Sequence, residues 1–139
     1  MRVNVHLSAA MIGVLAIELI GAQSADGARN VSPEEARGLV LAALPSETRR
    51  LPGFTLRQHD VQEFPQFYFF TAIWIGAPNG SLIAGDWAVD RSTADVWSAL
   101  RCEEESTSTL RKLQSKLRKT IGLTDAEYQR AKKKGPMCP

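Results

Sequence analysis

Residues 67–97 read FYFFTAIWIGAPNGSLIAGDWAVDRSTADVW, and this stretch decides the fold. Phe67–Ile75 and Ser81–Val89 are apolar runs of strand length, joined through Ala77-Pro78-Asn79-Gly80. An Asn-Gly pair between two apolar strands is a strong hairpin signal, because both residues tolerate the positive φ of the tight turn. Asp90–Asp95 makes a second reversal, and Val96-Trp97-Ser98 resumes as a strand. The stretch holds three of the five phenylalanines and all three tryptophans of the chain. It is therefore the expected centre of the core.

Upstream, Ser32-Pro33-Glu34-Glu35 is a helix start: serine caps, proline suits the first turn, and Glu35 completes a capping box. Ala36, Leu39, Val40, Ala43 and Leu44 follow on one helical face, and Pro45 ends the helix. Leu51-Pro52-Gly53 is a turn, and Phe54–Val61 reads as a further strand. Downstream, Glu103-Glu104-Glu105 reads as an acidic loop leading to the capping cluster Ser106-Thr107-Ser108. Leu110, Leu113, Leu117 and Ile121 then form one stripe of a helix that Gly122 closes. Thr124 and Glu127 form a second capping box, opening a short last helix. The expected fold is α+β: an N-terminal helix packed on a three- to four-stranded antiparallel sheet, followed by two C-terminal helices.

The chain has 139 residues, enough for one domain. At the N-terminus, Arg2 precedes the apolar run Leu7–Ile17, and small residues follow at Gly21, Ala22, Ser24 and Ala25. The run is shorter than the roughly 20 apolar residues a bilayer requires and suits the core of a signal peptide. The expectation is a signal peptide over residues 1–24, a single domain over 25–139, and a periplasmic or secreted protein without a stable membrane anchor. Two cysteines, Cys102 and Cys138, both fall in the expected mature part. An even count in a small exported chain predicts a disulfide. A metal site lacks ligands, since His59 is the sole histidine after the leader.

Charge is unevenly placed. Between Arg111 and Lys134 nine basic residues stand against Asp125 and Glu127, a net of +7 in a chain whose total is +2. Arg111, Lys112, Lys116, Arg118, Lys119, Lys132, Lys133 and Lys134 form the candidate basic patch. It reads either as a solvated helix face or as an electrostatic surface for an acidic protein or an anionic envelope. Nucleic acid is not expected, because Tyr128 is the sole aromatic residue interleaved there.

Phe67–Ile75 does not alternate apolar with polar residues, so both of its faces need cover. One reading buries both faces under helices. The other leaves Tyr68, Phe70 and Trp74 partly exposed, with Trp87 extending the surface and Asp86 as a polar point on it, as a candidate protein-binding face. Catalysis has little to work with. Any nucleophile–base pair would have to pass through His59, and adjacent acids such as Glu34/Glu35 read as caps. No cofactor motif is present.

Asp90-Arg91-Ser92-Thr93-Ala94-Asp95-Val96-Trp97 resembles the closing strand-turn-strand of PepSY-type domains, and Pro33-Glu34-Glu35-Ala36 resembles their helix start. Ala94 stands where that family usually has Gly. The resemblance spans roughly Ser32 to Trp97 and implies a cystatin-like helix and sheet in an exported module that binds or inhibits peptidases. The expected function is a non-catalytic, exported binding protein acting by protein–protein contact, as inhibitor, immunity-type antagonist or accessory module. The alternative is a carrier of a small apolar ligand between sheet and helices.

Overall fold

The computed structural model describes residues 29–76, 82–132 and 135–136. The expected signal peptide, the Pro78-Asn79-Gly80 turn, Lys133, Lys134 and Cys138 lie outside the described residues.

Helix α1 spans Pro33–Ala43. It starts at the capping box read from the sequence: the Glu35 amide donates to Ser32 Oγ at 3.2 Å, and the Ser32 amide donates to Glu35 Oε2 at 2.8 Å. A short α2 (Ser46–Arg49) leads into β1 (Thr55–His59), β2 (Phe67–Ile73), β3 (Ile83–Asp90), β4 (Val96–Ser98) and β5 (Glu103–Glu104). Helices α3 (Ser108–Thr120) and α4 (Asp125–Ala131) close the chain. The five strands form one antiparallel meander in sequence order.

This corrects the expected architecture. The sheet has five strands, not three or four, and β5 is the run Glu103–Glu104 that reads as an acidic loop. Two glutamates carry no strand signal of their own. Their pairing comes from β4, where Trp97 stands opposite Glu104 and Ser98 opposite Glu103. Nor does the first helix cover the sheet alone. α1 and α3 lie side by side, and α3 packs on the same sheet face as α1.

Alternation along the strands then explains two apolar clusters. Toward the helices point Leu56, Tyr68, Phe70, Ala72, Trp87, Val89 and Val96, which meet Leu39 and Val40 of α1 and Leu110, Leu117 and Ile121 of or near α3. Phe70 is fully buried at its centre. Toward the other side point Phe67, Phe69 and Ala88, covered by Val61 and Phe64 of the β1–β2 loop and flanked by Trp97. The chain end reaches this side too, since a Cβ on Gly135 would stand 2.6 Å from the Trp97 ring. Both faces are thus covered, but the second by a loop and the tail rather than by the C-terminal helices.

Two local features shape β3, one at Gly85 inside the strand and one at the turn that follows it. Gly85 has φ +156°, and a Cβ there would come within 2.5 Å of the Trp87 ring, so the tryptophan can lie flat only over a glycine. At the β3–β4 turn, the buried Asp90 carboxylate accepts from the amides of Ser92 and Thr93 and from the Ser92 hydroxyl. Ala94 follows with φ 62°. A left-handed alanine costs on the order of 1 kcal/mol, offset here by a fully buried methyl.

Candidate functional site

The residues read as an aromatic binding face are not together on a surface. Tyr68 and Phe70 are buried in the helix-side core, which corrects the expectation that they are exposed. Tyr68 is held there by its hydroxyl, which donates to the Val31 carbonyl at 3.1 Å, while the Arg91 guanidinium lies 4.1 Å from its ring centroid. Trp87 is buried beside Phe70, with its indole N–H donating to Glu105 Oε1 at 3.3 Å. Asp86 is half-buried on the opposite face and accepts from the Thr71 hydroxyl. Trp74 is the one that reaches a wet edge, beside the exposed Ile75, Leu82 and Ile83 at the end of the β2–β3 hairpin where the two strands are connected. His59 is exposed at the end of β1, its ring 6.0 Å from that of Phe69.

The basic segment divides into two populations. Arg118 and Lys132 are used inside the fold. Arg118 Nη2 donates to Asp95 Oδ1 at 2.6 Å and its Nε to the Thr93 carbonyl at 2.7 Å, with the guanidinium 3.8 Å from the Tyr128 ring centroid. Lys132 pairs with Glu104 at 2.8 Å, tying the end of α4 to β5 and holding the ammonium above its usual range. Arg111, Lys112, Lys116 and Lys119 behave differently. All four are exposed and none makes an ion pair among the described residues.

Helical spacing places these four together. Lys112 and Lys116 are four residues apart, and Arg111 and Lys119 flank them on the same outer surface, sharing a shallow basic trough with Ser115. Helix α3 contains no acid. Lys119 in the last turn is favoured by the helix dipole, but the Lys112–Lys116 and Lys116–Lys119 pairs repel, at about 0.2–0.5 kcal/mol each. The free helix carries this repulsion without internal relief. It is an anion-seeking face on a rigid element.

Asp95 anchors that element. Its carboxylate is 1% exposed and accepts from Arg118, from the Thr93 hydroxyl at 2.8 Å and from the Tyr128 hydroxyl at 3.0 Å. Burial pushes its pKa up, against the hydrogen bond from Thr93 and the charge of Arg118. The same burial raises Tyr128. Gln114 completes the attachment by donating to the Ala94 carbonyl at 2.9 Å. A polar cleft opens beside this cluster, between Glu104, Glu105 and Ser106 on one wall and Arg111 and Gln114 on the other. Its groups are largely engaged already: Glu104 with Lys132, Glu105 with Trp87 and Arg101, and Gln114 with the β3–β4 turn. The arrangement fixes α3 and α4 to the sheet and holds no nucleophile beside a base.

Sequence reasoning missed Asp95 and Gln114. Both sit on patterns that read as something else, one as a turn residue and the other as the polar side of an amphipathic helix. No spacing rule links residues 23 and 33 positions apart, as Asp95 is from Arg118 and Tyr128. Cys102 is disulfide-bonded and adopts φ 55°, while Cys138 lies outside the described residues. Among the described residues no group of three or more His, Cys, Asp or Glu is arranged to hold a metal ion.

Compared with known proteins, the chain matches no family model and no curated sequence. Its fold is similar to a chain in the structure of a type VI secretion system effector-immunity complex from Pseudomonas protegens. The two share 21% identity at a TM-score of 0.59, over 73% of this chain and 85% of that one. At that identity the likeness is one of fold.

Proposed function

We propose that this chain is an exported, non-catalytic binding protein of the immunity or inhibitor type, acting by contact with another protein. The observation that carries the reading is the outer face of α3. Four exposed cations stand there with no ion pair among the described residues, on a helix that a buried Asp95–Arg118 pair fixes to the sheet. A rigid, one-signed surface raises the encounter rate with an oppositely charged protein and restrains its orientation. The likeness in fold to a chain from an effector-immunity complex supports the same reading. The Leu7–Ile17 run and the disulfide at Cys102 support an extracytoplasmic site of action. A carrier would need room between sheet and helices, and that layer is filled by Leu39, Val40, Phe70, Val89 and Leu110, each below 2% exposed.

The test is affinity capture from the envelope and culture fluid of the source cells, at low and then moderate salt, with oxidised protein as bait. One stoichiometric protein partner is expected. Its affinity should fall at least about tenfold on Lys112→Glu/Lys116→Glu and weaken with added salt. Capture of no protein, or binding indifferent to both charge reversal and salt, overturns the reading.

A further inference from the structure

Helix α1 carries a glycine in its middle that the folded chain does not use. Gly38 is the sixth of the eleven residues of Pro33–Ala43, where glycine is the poorest helix former after proline. Mid-helix glycines normally admit a neighbour too close for a side chain. At Gly38 there is none: a Cβ built there meets nothing within 4 Å beyond its own helix. The space above it is a groove between α1 and α3, lined by Glu35, Gly38, Leu113, Lys116, Leu117 and Thr120.

The opposite wall is as unusual. The sequence stripe Leu110, Leu113, Leu117, Ile121 predicts four buried apolar residues, yet Leu113 is 37% exposed and Gln114 takes the buried place. Leu113 therefore leans over the groove and not into the core. The charge along this wall is positive, from Lys116 and from Arg111, Lys112 and Lys119 beyond it. Across the groove, the acid Glu35 is already neutralised by Arg29, through bonds of 2.7 and 2.9 Å. An apolar floor with one bare backbone position and a cationic rim selects for a ligand of opposite pattern.

We propose that the α1–α3 groove is the docking site for an acidic amphipathic helix of the protein partner, whose apolar face packs on Leu113 and Leu117 and whose backbone passes close over Gly38. This rests on the binding-protein reading and gives it a location and a partner chemistry. The helix would set its acids against Lys112, Lys116 and Lys119. Nucleic acid or an anionic membrane would answer the charges but not the recessed apolar floor, and both enter the test as competing outcomes.

The experiment uses a synthetic acidic amphipathic peptide of about 14 residues, which as a helix matches the roughly 20 Å length of α3. A scrambled peptide of the same composition serves as control. Binding is read from amide shifts of the oxidised protein. The expected result is saturable binding with shifts at Gly38, Leu113 and Leu117, at least about tenfold weaker for the scrambled peptide and for Gly38→Leu. Gly38→Ala and Gly38→Leu should melt above wild type, by roughly 4 °C for the alanine, so lost binding could not be ascribed to misfolding. Equal binding of both peptides, shifts confined to the lysines, or preferential binding of duplex DNA or anionic phospholipid vesicles overturns the proposal. If affinity capture yields a partner whose binding Gly38→Leu leaves unchanged, the groove is wrong and the binding-protein reading stands. If no partner is captured, that reading fails by itself.

Discussion

At the scale of single residues, the molecule depends on polar groups that the sequence pattern conceals. Asp95 sits within a turn motif, Asp-Arg-Ser-Thr-Ala-Asp, that suggests a solvated loop, yet its buried carboxylate accepts three side-chain hydrogen bonds. Its three donors come from β3–β4, α3 and α4, so its contribution is long-range and invisible to local rules. Removing it leaves Arg118 partly buried without a counter-charge. Asp95→Ala is expected to cost about 3 kcal/mol in urea unfolding, and Asp95→Asn clearly less, because asparagine can still accept from Thr93 and Tyr128. Equal losses for the two variants would show that the hydrogen bonds from Thr93 and Tyr128 add nothing once the charge is gone. Gln114 teaches the same lesson in reverse. A polar residue one step off a leucine stripe reads as surface, but the carbonyl of the strained Ala94 turn needs a donor, and that need places glutamine inside and Leu113 outside.

At the scale of elements, legibility follows the range of the interactions that make each one. Both capping boxes, Ser32/Glu35 and Thr124/Glu127, form where the sequence places them, since all their partners lie within three residues. The β2–β3 and β3–β4 pairings follow from apolar runs separated by turn chemistry. The two-residue β5 was not legible, because only pairing to Trp97 and Ser98 makes it a strand. The first helix start also predicts a pH response. Arg29 and the Ser32 amide hold the Glu35 carboxyl well below its ordinary value of 4.5, at about 2. A carboxylate depressed in the folded state stabilises fully above its unfolded pKa, and that contribution disappears as the pH falls through the folded one. Glu35→Gln keeps the capping geometry but removes the charge pair with Arg29. Between about pH 4.5 and 2 the wild-type melting temperature should fall more steeply than that of Glu35→Gln, converging with it at the acid end. Parallel curves through that window would show that the Arg29–Glu35 pair contributes nothing.

At the scale of the whole molecule, the sheet separates two jobs. One side carries α1, α3 and the basic face. The other carries Phe67, Phe69 and Trp97 under a loop and the chain's tail, where Gly135 and Pro136 are buried. Gly135 packs closely on the Trp97 ring, and a covalent tie nearby accounts for how so short a run stays in place. Cys102 is disulfide-bonded, and the chain's other cysteine, Cys138, follows this tail. Closing a loop between those positions stabilises by roughly 3–4 kcal/mol in the chain-entropy model. Cys102→Ser/Cys138→Ser should therefore lower the melting temperature by roughly 15 °C and red-shift the fluorescence of Trp97 as the tail leaves its ring. Because α3 is anchored to the opposite face through Asp95, partner binding below the new melting temperature should persist within about twofold of wild type. A variant that melts like wild type would mean that the disulfide does not close this loop. One that keeps its fold but loses the partner would move the binding surface to the tail side of the sheet, against the geometry of α3.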